Sequence, residues 1–409
     1  MLTTIDYSFI ADDSSFNQVQ QAIKKESTLS IYLEFDDWYN YDVQMSVFAL
    51  ATTSKIYLID LHRVDISPLK NIMADPNTIK ICYDSPYMIR LMQTRLGWSF
   101  RSIIDTKDIF EEIKSDEIEN TLAHMIKDQI GQSLPANDQG HRRNYSQRPL
   151  PEEFLLSIAA KVAYLRNTLA TMQKSLSEEQ QRVLESYFRQ LPLLPNLTDT
   201  PLIRAFQICH ENKVSNPVDR LLIFRLNELR VRIGERKDIS DMSVITKKDL
   251  VVLISRKPRN VEELRKFNLF SGLIKDYHQQ ILELMNRTMS NKTNDIDPEG
   301  KYQELDEKFM TYYPYHDYLT EDYEWPYEPT ISQYKNRRAI LRIIYNMISW
   351  KMDDRYMHYL LTEALLHQLA ANPAIRLDQL RPKIDACKTV DDITTFINQV
   401  VEEIYQHQK

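Results

Sequence analysis

The apolar run Ser30–Phe35 carries one acid, Glu34, and a second stands just beyond it at Asp36. In an extended chain, side chains two apart share a face, so an acid-x-acid pair points two carboxylates the same way. Such a pair is a starting point for holding a hard divalent cation. Glu34-Phe35-Asp36 has that form, whereas the position two before Glu34 is Tyr32. Other reactive groups are poorly arranged. His124, His141, His210 and His278 show neither an HExxH nor a paired spacing and read as surface or helix-packing residues. Ser157 lacks the flanking glycines of a nucleophile elbow, and Cys209-His210 are only sequence neighbours. With six glycines and neither GxxxxGK[ST] nor GxGxxG, a phosphate-cradling loop is excluded. The remaining chemistry is electrostatic. Arg225, Arg232 and Arg236 recur along one helical stretch, Lys247 and Lys248 open the next, and Arg256, Lys257 and Arg259 cluster after it. Cations so spaced contact phosphates without reading bases, and their affinity falls steeply with salt. The plainer reading of the same stretch is a charged helical packing domain.

Around these residues the first third alternates strand-like and helix-like segments. Ser30–Phe35, Gln44–Thr52, Lys55–Asp60 and Ile79–Tyr83 read as strands, and Pro86–Leu96 as a helix, which predicts an α/β layer around a mixed sheet. From Pro151 the pattern is helical: Glu152–Ser175, then Glu178–Gln190, closed by Leu191-Pro192-Leu193-Leu194-Pro195 as a linker. Asn216-Pro217 opens a helix to about Arg236. Further helices are predicted at Thr246–Ile254, with Thr246 and Asp249 as a capping box, at Asn260–Phe267 and at Leu273–Met289. The stretch Asn291–Pro329, with seven tyrosines, Trp325 and four prolines, reads as an ordered but irregular insertion. Helices resume at Lys335–Met352, Tyr356–Ala371, Leu377–Cys387 and Val390–Gln406.

Two or three domains are expected for 409 residues. Hydrophobic residues make up 43% and charged residues 27%, which suits a globular rather than a disordered chain. No apolar stretch is long enough to span a membrane, and Met1–Ser15 has acids but no base, so neither a membrane partner nor a leader is expected. Three scattered cysteines, Cys82, Cys209 and Cys387, predict a reducing cytoplasm. The net charge of −7 conceals opposed regions: Lys213–Lys275 holds 15 bases against 8 acids, and Asp295–Pro329 holds 11 acids against 2 bases. Because a phosphate backbone feels the local field, an acidic whole does not exclude nucleic acid.

The blocks SIYLEFDDWYNYDVQMSVFAL (Ser30–Leu50), IYLID ending at Asp60, IKICYDSPYMIRLMQTRLG, RSIIDTKDIF and RRNYSQRPLPEEFLLSIAAKVAYLRNTL (Arg142–Leu169) resemble, in order, the motif blocks of ribonuclease D. Pro217–Leu284, with NELRVRIGERKDIS and RKPRNVEELRKF, is similar to the HRDC module, and Lys335–Ala371 resembles a second, divergent one. The resemblance covers nearly the whole chain. It implies an α/β ribonuclease-H-like exonuclease domain over 1–190, an all-α HRDC bundle over 210–290, the acidic tyrosine-rich insertion over 291–332, and a second HRDC-like helical domain over 333–409. It also implies a 3′-5′ exoribonuclease using two Mg²⁺ or Mn²⁺ ions held by four carboxylates, with a tyrosine aiding the attacking water. Two such ions need hard oxygen ligands and stabilise both the entering and leaving oxygens of a phosphodiester.

The departures from this pattern fall on the ligands. Tyr32 stands for the aspartate of Asp-x-Glu, leaving Glu34 as the retained carboxylate. Tyr83 replaces the second block's histidine and Met88 its metal-binding aspartate. Ser157 and Lys161 stand where the third block has Tyr-x-x-x-Asp. Sliding the register to Glu34-Phe35-Asp36, with Asp84 near Met88, would move the pair about 7 Å along the strand, against the ungapped fit of Ser30–Leu50. An ammonium where a dication would sit repels metal and neutralises Glu34, so a Glu34–Lys161 ion pair is expected and no metal is expected to be bound. The competing picture has Lys161 reaching solvent from beside a half-exposed Glu34. Asp105 matches a family aspartate that is not a metal ligand and suits helix capping, and Arg148-Pro149-Leu150 matches the turn before the third-block helix. The leading expectation is a pseudo-exonuclease that binds RNA or scaffolds an RNA-processing partner protein. An active exoribonuclease on tRNA or other structured RNA, and a protein-interaction module using Tyr312, Tyr313, Tyr315 and Trp325, are the alternatives.

Overall fold

The computed structural model describes residues 5–36, 42–114, 121–134, 144–194, 216–290 and 377–407, with scattered positions in 205–214 and 348–369. The N-terminal unit runs Ser8–Ile10 (β1), Asp13–Ile23 (α1), Thr28–Asp36 (β2), Gln44–Ala51 (β3), Ile56–Asp60 (β4), Lys70–Ala74 (α2), Ile79–Cys82 (β5), Ser85–Leu96 (α3), Ile103–Asp105 (β6), Thr106–Ile113 (α4), Leu122–Ile130 (α5), Glu152–Ala163 (α6), Leu165–Met172 (α7) and Glu178–Gln190 (α8). Its sheet has the order β1-β4-β3-β2-β5-β6. β2, β3 and β4 pair antiparallel, and β1, β5 and β6 join them in parallel. The expected mixed α/β layer is therefore present. β1 and α1 were not foreseen, although Asp12 supplies a cap to Ser15 N (2.9 Å) and Phe16, Val19 and Ile23 bury one helical face.

Period-two alternation sorts the central strand. Leu29, Ile31 and Leu33 of β2 enter the larger core, whereas Tyr32 packs against the smaller one on the opposite face. That smaller core lies under α6: Val47, Ala49, Ala51 and Leu58 from the sheet meet Phe154, Ile158, Ala159 and Val162 from the helix. Ala159 and Ala160 are fully buried, and such short side chains let α6 lie close to the strands. A bulge between Glu34 and Phe35 shifts the register with β3 by one residue just beyond Glu34, after which pairing resumes to Asp36.

The expected continuous helix Glu152–Ser175 is divided at Tyr164 into α6 and α7. The expected linker after α8 is a buried 3-10 turn, Leu191–Leu193, rather than a loose connection. The helical module comprises Pro217–Lys237 (α9), Asp241–Val244 (α10), Lys247–Arg256 (α11), Val261–Lys266 (α12) and Gly272–Ser290 (α13), with its own apolar core. Thr246 caps α11 by accepting from Asp249 N (3.0 Å). The α9–α10 turn is tight: a Cβ on Gly234 would lie 2.8 Å from the Ile239 carbonyl oxygen. Fully buried Arg230 holds that turn, donating to Asn227 Oδ1 (2.9 Å) and the Ile245 carbonyl (3.1 Å) and pairing with Asp241 (3.3 Å).

The last helices are Asp354–Leu360 (α14), Leu377–Ala386 (α15) and Val390–His407 (α16). A separate second helical domain was expected over 333–409, but Tyr356, Leu360, Phe396, Val400 and Ile404 belong to the same core as the sheet and α8. Gln190 at the end of α8, fully buried, is the polar joint: it donates to the Tyr359 carbonyl (3.2 Å) and accepts from Thr362 Oγ1 (2.8 Å). The acidic tyrosine-rich segment 291–332 lies outside the described residues. Cys82, Cys209 and Cys387 are free and buried. Among the described residues no helix is long and apolar enough to cross a membrane.

Lys80 on β5 is completely buried, and its ammonium donates to the carbonyls of Asp75 (2.8 Å) and Ile72 (3.5 Å) at the end of α2. Burial pushes its pKa down from 10.5 to about 8, outweighing the attraction of Cys82 and Asp75. A folded pKa below the unfolded one penalises the charged form, so folding stability should rise as pH climbs from about 8 toward 10.5. Two and a half units correspond to a ceiling of about 3 kcal/mol. Denaturant unfolding at pH 7 and 9.5 should show this rise in the wild type and a flatter profile in Lys80→Met; equal slopes in the two proteins would refute it.

Candidate functional site

The site lies where the C-terminal ends of the parallel strands β2, β5 and β6 open on one edge of the sheet. β2 carries Tyr32 and Glu34 on the face that α6 covers. α6 carries Ser157 and Lys161 one turn apart, hence on one side of that helix. Met88 comes from α3, and Tyr83 from the turn that leads into it. The structure brings Tyr32, Glu34 and Lys161 into contact, sets Ser157 one helical turn from Lys161, and places Tyr83 within electrostatic reach of Tyr32; Met88 is buried on α3 in the larger core.

Glu34, Ser157 and Lys161 are buried, as is Met88. Lys161 Nζ donates to Glu34 Oε2 at 2.9 Å and to Tyr32 Oη at 3.2 Å, and lies 4.6 Å from the centroid of the Tyr32 ring. The expected ion pair is formed, and Lys161 does not run out to solvent. Tyr32 holds the ammonium through its hydroxyl. Burial pushes the Tyr83 phenol well above its ordinary value, and the charges of Asp84, Asp105 and Glu111 add to this. The phenol is neutral at physiological pH.

Asp84, Asp105 and Asp60 are committed to structure. Asp84, in the left-handed region at φ 54°, pairs through its carboxylate with Lys107 (3.0 Å). Asp105, fully buried, accepts from the backbone N–H groups of Asp84 (3.0 Å), Ser85 (2.5 Å) and Lys107 (3.0 Å), and so serves the N-termini of both α3 and α4. Burial raises its pKa in spite of these bonds. Arg148 grips Asp60 through Nε (2.9 Å) and Nη2 (2.7 Å) and donates to the Tyr145 carbonyl (2.8 Å), anchoring the turn before α6. Burial would raise the Asp60 carboxyl, but the Arg148 hydrogen bonds and the His62 N–H hold it below the usual range. The sequence reading marked the Arg148 turn but not its partner Asp60; an acid ending an apolar strand was the available signal.

A centre of two dications needs several hard oxygen donors. Here the motif carboxylate Glu34 is already neutralised, and three motif places are filled by a phenol, a thioether and an ammonium. Among the described residues no group of three or more His, Cys, Asp or Glu could hold a metal ion. The residues present do not fit the two-ion centre.

The basic positions of the helical module divide in two. Lys257 pairs with Asp219 (2.6 Å), and half-buried Arg225 donates to Thr288 Oγ1 (3.0 Å). Lys247 is half-buried, and desolvation lowers its pKa. Arg232, Arg236, Lys248, Arg256 and Arg259 are exposed. Arg265, Phe267 and Phe270, which the sequence reading did not single out, adjoin them through ring contacts.

Residues 7–177 match the model of the 3′-5′ exonuclease family. This part of the chain is a 3′-5′ exonuclease-family domain. Over 293 residues the chain is 25% identical to ribonuclease D of Desulfotalea psychrophila, covering 70% of this chain and 76% of that one. The crystal structure of Escherichia coli RNase D superposes with a TM-score of 0.53 at 17% identity, over 98% of this chain and 99% of that one. The catalytic core of RRP6 from Trypanosoma brucei gives a TM-score of 0.54 at 14% identity, over 71% and 83%. At these identities the two structures establish the shared fold: a ribonuclease-H-like exonuclease core followed by helices.

Replacing one member of a buried ion pair strands the other, which typically costs about 3–5 kcal/mol, whereas replacing both with neutral groups of like volume is nearly free. Lys161→Met should therefore destabilise the protein by about 3 kcal/mol, and Glu34→Gln in the same background should restore most of the loss. Chemical denaturation of the three variants checks this; a fully stable Lys161→Met would remove the pair from its structural role.

Proposed function

We propose that this chain is a ribonuclease D relative that has given up phosphodiester cleavage and acts in RNA processing as an RNA-binding protein or scaffold. The observation that carries the reading is the ammonium of Lys161 lying 2.9 Å from Glu34, where the family's chemistry calls for dications. A buried cation repels Mg²⁺ or Mn²⁺, and without a metal neither the attacking water nor the leaving oxygen is stabilised. No metal is held at this place in the proposed state. RNA as partner is supported by the similarity to ribonuclease D, whose E. coli member is described as an exoribonuclease involved in structured RNA processing. It is supported too by the exposed cations of the helical module, which we read as an HRDC domain. The free, buried cysteines suit a reducing cytoplasm.

The test is to incubate the protein with 3′-labelled structured RNA and Mn²⁺ beside a gel-shift in EDTA. A shift without shortening is expected. Shortening that Glu34→Gln abolishes would make the chain a working exoribonuclease. Absence of both would leave a protein-interaction module.

A further inference from the structure

We propose that the face of the helical module built by Arg256, Arg265, Phe267, Phe270 and His278 binds single-stranded RNA by stacking on unpaired bases while its guanidiniums meet the backbone. This rests on the reading that the chain binds RNA and assigns the surface, mode and strandedness. The Arg256 guanidinium carbon lies 5.8 Å from the centroid of Phe267, and that of Arg265 lies 4.9 Å from Phe270. His278 meets Phe270 edge-on, with ring centroids 5.2 Å apart. Both arginines are exposed, and both phenylalanines are half-buried, so each ring is rooted in the module's core while part of it stays open.

Two of the module's other cations are spent on carboxylates. Lys257 has Asp219, and Arg230 has Asp241. Among the described residues neither Arg256 nor Arg265 lies within ion-pair distance of a carboxylate; each rests on an aromatic ring instead. An aromatic face attracts a cation without cancelling its charge, so both guanidiniums keep their field toward solvent. Of the nearby acids, Glu263 accepts from the Arg259 N–H (2.7 Å) at the start of α12, and Glu262 is exposed beside it. Exposed Arg259 and Lys266 add positive charge on the same short stretch.

A guanidinium beside an open aromatic ring offers two π faces, one of them cationic, at one place on the surface. Nucleobases stack on such planes whatever their identity, because every base has a π face, and a duplex keeps those faces paired off. A surface of lone lysines would bind both forms through phosphates alone.

Fluorescence anisotropy in EDTA, with a short labelled oligoadenylate and a hairpin of equal length, tests the proposal. The wild type should bind the single strand more tightly. Arg256→Gln with Arg265→Gln should weaken that binding about tenfold and lower the slope of log affinity against log salt by roughly 1.4, or 0.7 per charge removed. Arg256→Lys with Arg265→Lys should keep the salt slope yet lose single-strand affinity, because ammonium does not stack. Single-strand binding by the wild type that the glutamine pair leaves intact would overturn this surface alone. Equal affinity for strand and hairpin, or lysine variants as good as the wild type, would overturn the stacking mode. No binding of either RNA would overturn the RNA-binding reading itself and this assignment with it.

Discussion

A carboxylate and an ammonium in contact inside a protein satisfy each other, and everything distinctive about this exonuclease-family domain follows from where that contact falls. Glu34 comes from the central strand and Lys161 from the helix laid across it, so the pair bridges the two layers that define the cleft. A two-metal site also joins these layers, but through cations that come and go and can share their charge with a substrate. The lysine is covalently fixed. It supplies the neutralising charge that the fold needs at this place, and no water or phosphate oxygen can use it as a Lewis acid.

The rest of the unit preserves the geometry that such a site would require. Asp105 seats two helix starts, Arg148 and Asp60 set the approach of α6, and buried Ala159 and Ala160 let that helix come close to the strands. These are scaffold interactions, indifferent to whether metal is held. Tyr32 illustrates the exchange. Its hydroxyl accepts from the lysine while its ring packs against the smaller core, so one side chain serves both the pair and the packing. The cleft keeps its walls while its centre becomes neutral and partly aromatic.

Much of this could be read from the residues. Alternation along β2 placed Tyr32 and Glu34 on one face, helical spacing placed Ser157 and Lys161 on another, and motif order brought the two together. The capping role of Asp105 and the helix start at Thr246 were legible because caps are local. What escaped depended on distant partners. Asp60, an acid ending an apolar strand, carried the sign of needing a partner, but nothing local named Arg148, 88 residues away. Lys257 read as one of the phosphate-contacting cations, but Asp219 takes it in the fold. Arg265 and Phe270 read as ordinary members of a charged stretch until the turn after α12 brought them together. The final helices carried an amphipathic pattern that cannot say which neighbour receives it, and they went to α8 rather than forming a body of their own.

That last feature bears on how the molecule is made. The sheet and α8 leave the ribosome well before the helices that complete their core, since the whole 216–290 module is synthesised in between. Until α14 and α16 arrive, the sides of α8 that they pack against stay open. The nascent chain therefore carries a sticky flank through much of its own translation, a state that invites chaperones or premature association. The intervening module folds around a separate core, so it can mature while the larger body waits for its closing piece.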